Sequence, residues 1–305
     1  MTINEPNVYA ALGYVIGEFP PGAHGKVLTA LRVINNLARS HARAYRRIHE
    51  IQPEAEVGWA HHYAVFQPLN QRSLRDRWAA HNLHALFNGT FLHIIEQGSM
   101  GFPLNLLDGD LREVVGTSDF IGLNVYSRFH VEFNLKHIRR LCANVFVPTD
   151  VPQGDAGSDR PYGEAYPPAI RYAVQRASKL RKPIYILENG VPDATDRIRP
   201  WLMVNAIKEV HSLLAEGHDI RGYFHWTLTD NFEWSEGWRL RFGLVELDPE
   251  TQKRTLRRSA ELFREIAHGN GIPAGITERV TCDHPTASAS SGRSGSCCSP
   301  SPAGQ

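Results

Sequence analysis

The stretch that decides the fold runs from Pro183 to Gly190 and reads PIYILENG. Its apolar β-forming residues predict a short strand buried on both faces, as strands of parallel sheets are. The strand ends at Glu188, and Asn189-Gly190 then turns the chain. A hairpin would need a second alternating strand after this turn, and residues 191–196, VPDATD, do not supply one. We therefore expect the carboxylate of Glu188 at the carboxyl end of a parallel strand, the edge that carries the chemistry in α/β folds.

Segments with strand character alternate with segments of helical periodicity along the rest of the chain. The other predicted strands are the stub Met1–Ile3 and residues 56–63, 119–126 and 219–226, and the predicted helices cover residues 28–48, the region after the capping pair Ser73 and Asp76, and residues 168–180, 201–215 and 255–268. Residues 144–162 are rich in Pro, Gly and Asp and predict a long loop. This alternation implies βαβ units and an α/β fold with a parallel sheet.

Composition excludes several classes of function. The chain has 305 residues with a formal net charge of +1, which provides no field for attracting nucleic acid or an anionic membrane. Its 15 histidines form no HExxH motif, its four cysteines form no disulfide framework, and no apolar run approaches a membrane span of about 20 residues. We therefore expect a cytoplasmic protein without cofactor or metal and without a nucleic-acid or membrane partner.

Two regions differ sharply in composition. Residues 1–273 have the apolar content of a folded domain, whereas Ser, Thr, Gly and Pro dominate from Thr281 onward. Such a segment cannot bury enough apolar surface to fold. The predicted organisation is one domain over residues 1–273 and a disordered low-complexity tail over residues 274–305.

Polar and aromatic residues follow the ends of the predicted strands. Glu5 follows the stub, Asn124 and Tyr126 end the third strand, Glu188 ends the fourth, and Trp226 ends the fifth, with Glu233 and Trp234 shortly after. Two glutamates at one sheet edge meet the needs of glycoside hydrolysis, in which one carboxylate attacks and another exchanges a proton. Aromatic faces also suit the C–H surfaces of sugars. Residue types alone leave a plain α/β domain as an equal alternative.

Four stretches resemble a known enzyme family. They are TINEP at 2–6, continued by NVYAALGYVIGEFPPG; DFIGLNVY at 119–126; YILENG at 185–190; and the block from His225 to Ile266 that begins HWTLTDNFEW. Together they resemble glycoside hydrolase family 1, the β-glucosidases and β-galactosidases built on a (β/α)8 barrel. The resemblance spans residues 1 to about 273, and its last block is long and highly specific.

The resemblance implies a retaining, double-displacement mechanism on β-linked glucosides or galactosides. Glu188 would be the nucleophile, and Glu5 would protonate the departing oxygen and later deprotonate water. Asn4 would hold the 2-hydroxyl, Tyr126 would hydrogen-bond the nucleophile, and Asn124 would line the same floor. Repulsion between the two carboxylates should keep Glu5 protonated while Glu188 is ionised.

The remaining sugar contacts that the resemblance implies lie in the block near the C-terminus. Trp226 would be the platform under the sugar ring, Glu233 would bind the 4- and 6-hydroxyls, and Trp234 and Phe242 would shape that end of the site. Trp226 and Phe242 could instead be core residues.

The chain also departs from the family pattern. Family members have three complete strands before the T-x-N-E-P motif, so Met1 falls inside strand 4 and the predicted fold is an incomplete barrel of strands 4–8. The family arginine that keeps the nucleophile ionised lies in the missing part, so the pKa of Glu188 should rise. Gly163 stands where the family usually has Trp, which should alter the leaving-group side.

An incomplete barrel leaves two outer strands with unpaired backbone and apolar faces, which favours self-association. Three explanations fit the sequence: a gene fragment or misplaced start, which we favour; a half-barrel that assembles as an oligomer; or a non-catalytic carbohydrate-binding protein derived from the family. The last would use Trp226, Glu233 and Trp234 for binding.

Overall fold

The computed structural model describes residues 1–101, 104–106, 110–157 and 161–282. Its α-helices are α1 Pro6–Ala10, α2 Val27–Ile51, α3 Leu74–His84, α4 Thr90–Gln97, α5 Ala169–Ala177, α6 Arg199–Ala215 and α7 Arg258–Gly269. Its strands are β1 Gly58–Pro68, β2 Phe120–Phe133, β3 Ala143–Phe146, β4 Glu164–Ala165, β5 Ile184–Glu188, β6 Ile220–Tyr223, β7 Val245–Leu247 and β8 Arg254–Leu256.

A parallel sheet with the strand order β1-β2-β5-β6 forms the centre of the fold. The predicted stub extends it by a short parallel bridge, because Glu5 donates its backbone N–H to the carbonyl of Ala60 at 2.9 Å and Thr2 donates to Gly58 at 2.9 Å. The prediction of an α/β fold with a parallel sheet is therefore confirmed, and the connecting helices follow the predicted segments closely.

Strand alternation separates the core from the site. Ile121, Leu123 and Val125 of β2 are fully buried and belong to the main core cluster, which also contains residues of α2, α4 and α5. Successive side chains of a strand point to opposite faces, so Asn124 and Tyr126 lie on the other side of the sheet. One strand thus anchors the helices and presents polar groups at the same time.

A shift in register brings Glu188 beside Asn124. Leu123 pairs with Ile186, but the next residue, Asn124, pairs with Glu188, so Leu187 is skipped. Irregularities of this kind re-aim side chains next to active sites. Without the shift, the side chain of Leu187 would take the position opposite Asn124.

Several predicted segments are corrected by the structure. Strand β1 continues to Pro68 instead of ending at residue 63, and β6 ends at Tyr223, so Trp226 lies beyond its end. Strand β2 continues to Phe133 because its outer half pairs with β1, β3 and β4, so part of the predicted 144–162 loop is strand. The last helix begins at Arg258, three residues after the predicted Thr255, because Arg254–Leu256 pairs with β7.

The packed region extends beyond the predicted domain boundary at residue 273. Ile276 and Val280 are buried in a second core cluster with residues of α6 and α7. The rest of the predicted tail, residues 283–305, lies outside the described residues. Within the described ranges no helix is long and apolar enough to cross a bilayer, and the cytoplasmic location stays a prediction.

Candidate active site

A network of hydrogen bonds at the carboxyl ends of the strands joins the two glutamates to β2. Tyr126 donates its hydroxyl to Oε2 of Glu188 at 2.5 Å. Asn124, which is fully buried, donates its amide to Oε1 of Glu5 at 2.9 Å and to Oδ1 of Asn4 at 3.1 Å. Asn124 also lies beside Glu188 in the register of β2 and β5. The structure therefore brings these five predicted site residues into one cluster.

The backbone at Glu5 is held in an uncommon conformation. Glu5 lies immediately before α1 with φ 48° and ψ 57°, in the left-handed region that non-glycine residues rarely adopt. Pro6 is the first residue of the helix and fixes its start. Backbone strain at this level, roughly 1–2 kcal/mol, is concentrated at functional sites. In this conformation the carboxylate of Glu5 reaches the amide of Asn124.

The two carboxyl groups titrate in the opposite order to the one expected. Burial, followed by the negative charge of Glu5, raises the pKa of Glu188 to about 7, although the hydrogen bond from Tyr126 and the charge of His62 act against the rise. Burial also tends to raise the pKa of Glu5, but the charge of His62 and hydrogen bonds from His62 and Asn124 outweigh it and hold this pKa below its ordinary value. The expectation that Glu5 is protonated while Glu188 is ionised is thus wrong, because His62 stabilises the negative charge on Glu5.

The raised pKa of Glu188, the predicted nucleophile, is in the direction expected for a carboxyl group without an arginine beside it. The phenol of Tyr126 donates a hydrogen bond to it, and the charge of His62 also lowers its pKa. These groups do not offset the cost of burying the carboxylate beside a second one.

Aromatic rings line one wall of the cluster. The ring of Tyr162 lies edge-on to both Tyr126 and Phe242, with centroids 5.9 and 5.1 Å apart. Phe242 is 1% exposed, and Trp226 packs against the same group. Phe242 is therefore a core residue and a wall of the cluster at the same time.

The Asn189-Gly190 turn fixes Trp226. The side-chain amide of Asn189 donates to the carbonyl of Val125 at 2.6 Å, and its backbone carbonyl accepts from the N–H of Trp226 at 3.0 Å. A Cβ at Gly190 would lie 2.0 Å from the carbonyl oxygen of Trp226, so only glycine permits this approach. The turn that follows the nucleophile position therefore also places the predicted sugar platform.

A buried ion pair anchors the loop that carries the remaining predicted residues. Asp230 accepts two hydrogen bonds from Arg257, at 3.0 and 2.9 Å, and a third from the backbone of Gly243 at 2.8 Å. Asp230 and Arg257 are both nearly inaccessible to solvent. This pair ties the loop to the start of α7 and holds Phe242, which precedes Gly243.

Glu233 and Trp234 are neighbours in the sequence but differ in how close they lie to the two glutamates. Burial raises the pKa of Glu233, the hydrogen bond from Trp226 opposes the rise, and the charge of Glu5 adds to it, so Glu233 lies at the edge of the carboxylate cluster. Trp234 is 75% exposed, and the structure does not bring its ring into the buried cluster.

Two residues of the cluster were not predicted. His62 contacts Glu5, and strand alternation provided a signal for it, since adjacent histidines on β1 must face opposite sides. His61 accordingly lies in the core beside Trp59. Tyr162 had no comparable signal, because its position depends on the loop before β4.

Gly163 explains why Tyr162 lies in the cluster. Its φ is 144°, and a Cβ there would lie 2.2 Å from Cβ of Ser127. A side chain at position 163 is therefore excluded by this backbone, and the neighbouring ring of Tyr162 enters the site instead. In the described part of the chain, no group of three His, Cys, Asp or Glu side chains could hold a metal ion.

Most of the chain matches one known protein family. The family described as Glycosyl hydrolase family 1 matches residues 1–272. The chain belongs to this family. Among its relatives, a β-galactosidase of Pyrococcus woesei is 32% identical, with 92% of this chain and 59% of the relative covered. Beta-glucosidase A of Thermotoga maritima is 29% identical, with 89% of this chain and 64% of the relative covered.

Solved family 1 structures confirm the fold. A family 1 β-glucosidase from Thermotoga maritima matches with a TM-score of 0.80 at 28% identity, covering 90% of this chain and 64% of that structure. Its complex with castanospermine matches with a TM-score of 0.79 at 29% identity, with the same coverage. The chain thus spans about three fifths of the length of these relatives. The four parallel strands and the stub are part of a (β/α)8 barrel, as predicted.

Proposed function

We propose that the sequence encodes a retaining β-glycosidase of family 1 that acts on β-linked glucosides or galactosides. The observation that carries this proposal is the hydrogen-bond network at the strand ends, in which Asn124 donates to Glu5, Tyr126 donates to Glu188, and the charge of Glu5 raises the pKa of Glu188. Two carboxyl groups that interact in this way support a reaction at one glycosidic bond. Membership of family 1 favours the retaining arrangement, in which the carboxyl groups lie about 5–5.5 Å apart.

The reaction would proceed in two displacements. The Glu188 carboxylate attacks the anomeric carbon, the bond to the departing oxygen breaks, and that oxygen takes a proton from Glu5. In the second step Glu5 removes a proton from water, whose oxygen attacks the anomeric carbon and releases Glu188. The pKa of Glu5 is held below its ordinary value, and Glu188, with a pKa of about 7, is only about half ionised at neutral pH. The state with Glu5 protonated and Glu188 ionised is therefore the minor one at neutral pH, and we expect slow turnover.

The surrounding residues supply the sugar contacts in this proposal. Asn4 would hold the 2-hydroxyl, Trp226 would support the sugar ring, and Glu233 would bind the 4- and 6-hydroxyls, while Phe242 would form the wall. Trp234 would contribute only after a second surface covers it, since its ring is exposed.

Covalent trapping of the nucleophile tests this function. The full chain would be incubated with a 2-deoxy-2-fluoro β-glucoside that carries a good leaving group, and the intact mass would be measured. We expect one glycosyl unit on the wild-type chain and on the control Glu54→Gln, whose side chain is exposed, and none on Glu188→Gln. Labelling of Glu188→Gln to the same extent as wild type would rule out the assigned nucleophile.

A second candidate is carbohydrate binding without turnover. The raised pKa of Glu188 favours it, because a protonated carboxyl group binds hydroxyls but does not attack carbon. Calorimetry with glucose and galactose beside the trapping assay separates the two functions. Binding without a covalent adduct would support this candidate, and rapid labelling would remove it.

The open side of the barrel is the basis for the proposed self-association. Between β6 and β7, four large apolar side chains are more than half exposed: Phe224 at 55%, Leu228 at 69%, Phe232 at 62% and Trp234 at 75%. Exposed apolar groups next to a strand edge favour pairing with another chain.

A further inference from the structure

The imidazole of His62 is fixed beside Glu5. Its Nδ1 lies 3.0 Å from Oε1 of Glu5, and the two side chains are only 15% and 19% exposed. The ring stacks on Tyr126 at 5.7 Å with an interplanar angle of 16°, and it meets Phe87 edge-on at 5.9 Å. The backbone carbonyl of His62 accepts a hydrogen bond from Asn7 at 2.8 Å. Ring and backbone are therefore both held, and the contact to Glu5 has a defined geometry.

Both side chains that contact Glu5 act on the same oxygen. The amide of Asn124 and the imidazole of His62 each approach Oε1, at 2.9 and 3.0 Å. A carboxylate held by two donors on one oxygen cannot rotate freely, and its second oxygen takes a fixed direction. That second oxygen, Oε2, is the one available for exchanging a proton with a substrate.

We propose that His62 is a positioning residue for Glu5, which binds Oε1 and thereby makes Oε2 the oxygen that exchanges the proton. This inference rests on the proposed function of Glu5 as the acid/base. When Oε2–H gives its proton to the departing oxygen, the negative charge left on Glu5 is stabilised by the Nδ1–H of His62 at Oε1. When water is deprotonated in the second step, the proton returns to Oε2, and His62 neither gains nor loses a proton over the cycle.

The charged and polar groups around Glu5 differ in whether they favour or disfavour a negative charge on its carboxyl group. Glu188 at the end of β5 and Glu233 after β6 are acidic and disfavour a charge on Glu5, and the phenol of Tyr162 lies within range of the same charge. His62 on β1 acts in the other direction, because its hydrogen bond to Glu5 and its charge when protonated lower the pKa of Glu5. His62 therefore sets the balance between the two protonation states of this carboxyl group.

Titration of the glutamate carboxyl groups tests the proposal without requiring turnover. The full chain would be labelled with [13Cδ]glutamate, and the Glu5 resonance would be assigned with Glu5→Gln. In His62→Phe, which keeps a ring against Tyr126 but removes the N–H, we expect the pKa of Glu5 to rise. His62→Asn retains an amide donor without a charge, so its rise should be smaller. The exposed control His268→Asn should titrate as wild type.

Unchanged titration of Glu5 in both His62 variants would overturn the proposal. If neither variant folds, the proposal can still be tested in the wild-type chain, by measuring the 15N resonance of Nδ1 in His62. We expect Nδ1 to carry a hydrogen throughout the pH range in which Glu5 is ionised, and an unprotonated Nδ1 there would overturn the assignment.

Kinetics separate this proposal from the proposed function. At an acidic pH where Glu5 is protonated in both the wild type and the His62 variant, loss of the positioning contact should slow alkyl β-glucosides, which need a proton donor, more than dinitrophenyl β-glucosides, which do not, with a difference of about tenfold or more. A folded wild-type chain that hydrolyses neither substrate would count against the proposed function, while the titration would still decide the role of His62. Equal slowing of both substrates would contradict the positioning role.

Discussion

Replacing Glu188 with Gln should stabilise the protein at alkaline pH and have little effect in acid. In the folded chain the carboxyl group of Glu188 is buried next to Glu5, and its pKa is raised from 4.5 to about 7. The unfolded chain exposes the same group to water, where it ionises at its ordinary pKa. Between these two pH values the folded state therefore binds a proton that the unfolded state has lost.

The magnitude follows from the linkage between proton binding and stability. Below pH 4.5 both states are protonated, so the contribution of Glu188 to stability is fully present. As the pH rises, the free energy of unfolding falls by about 1.4 kcal/mol per pH unit until the folded group ionises near pH 7. The total loss is about 3 kcal/mol. Gln cannot ionise, so the variant should avoid this loss.

Urea denaturation at pH 4.5 and pH 8 would measure the difference. We expect Glu188→Gln to unfold at a urea concentration about 1–2 M above wild type at pH 8, for a slope of roughly 2–3 kcal/mol per molar, and close to wild type at pH 4.5. The exposed control Glu54→Gln should follow wild type at both values. A Glu188→Gln variant that is less stable than wild type at pH 8 would refute the electrostatic account of the site.

Three further predictions concern the frame of the site. Arg257→Met should lower the free energy of unfolding by about 3–5 kcal/mol in urea denaturation, because it leaves Asp230 charged and buried. Arg279→Met, which breaks the exposed pair with Glu265, should have a much smaller effect, and equal effects would contradict a structural role for the buried pair. Gly163→Ala should lower stability by roughly 1–3 kcal/mol because of its positive φ, and an unchanged urea midpoint would contradict that conformation. Trp234→Ser should reduce the concentration-dependent mass in light scattering with unchanged stability, and an unchanged mass would count against self-association through this surface.

The fold was largely predictable because its strands carry strong local signals. The buried run before Glu188 and the helix–strand alternation required no knowledge of tertiary contacts. The predicted elements failed where pairing partners lie far away in the sequence. Residues 127–133 are strand because β1, β3 and β4 pair with them, and residues 254–256 are outside the predicted last helix because β7 pairs with them.

The site was predictable as a set of positions, and less so as an electrostatic environment. Asn124 and Glu188 were expected at strand ends, but the register shift that brings them together is a property of the whole sheet. The effect of His62 on Glu5 depends on a distance between two strands that the sequence does not specify. The inverted order of the two pKa values follows from that distance and from burial, so reasoning from residue types assigned it wrongly.

Geometry and charge balance have separate origins in this protein. The hydrogen bonds that orient the two glutamates come from Asn124 and Tyr126 on one strand and His62 on its neighbour, so the described part of the barrel is sufficient to position them. The protonation of Glu188 depends on every charge around the cavity, because electrostatic interactions extend farther than contacts do. A cation placed beside Glu188 would therefore lower its pKa without moving any of the orienting groups. Such a change would increase the fraction of molecules in the working protonation state, while the hydrogen-bond network on β1 and β2 would stay as it is.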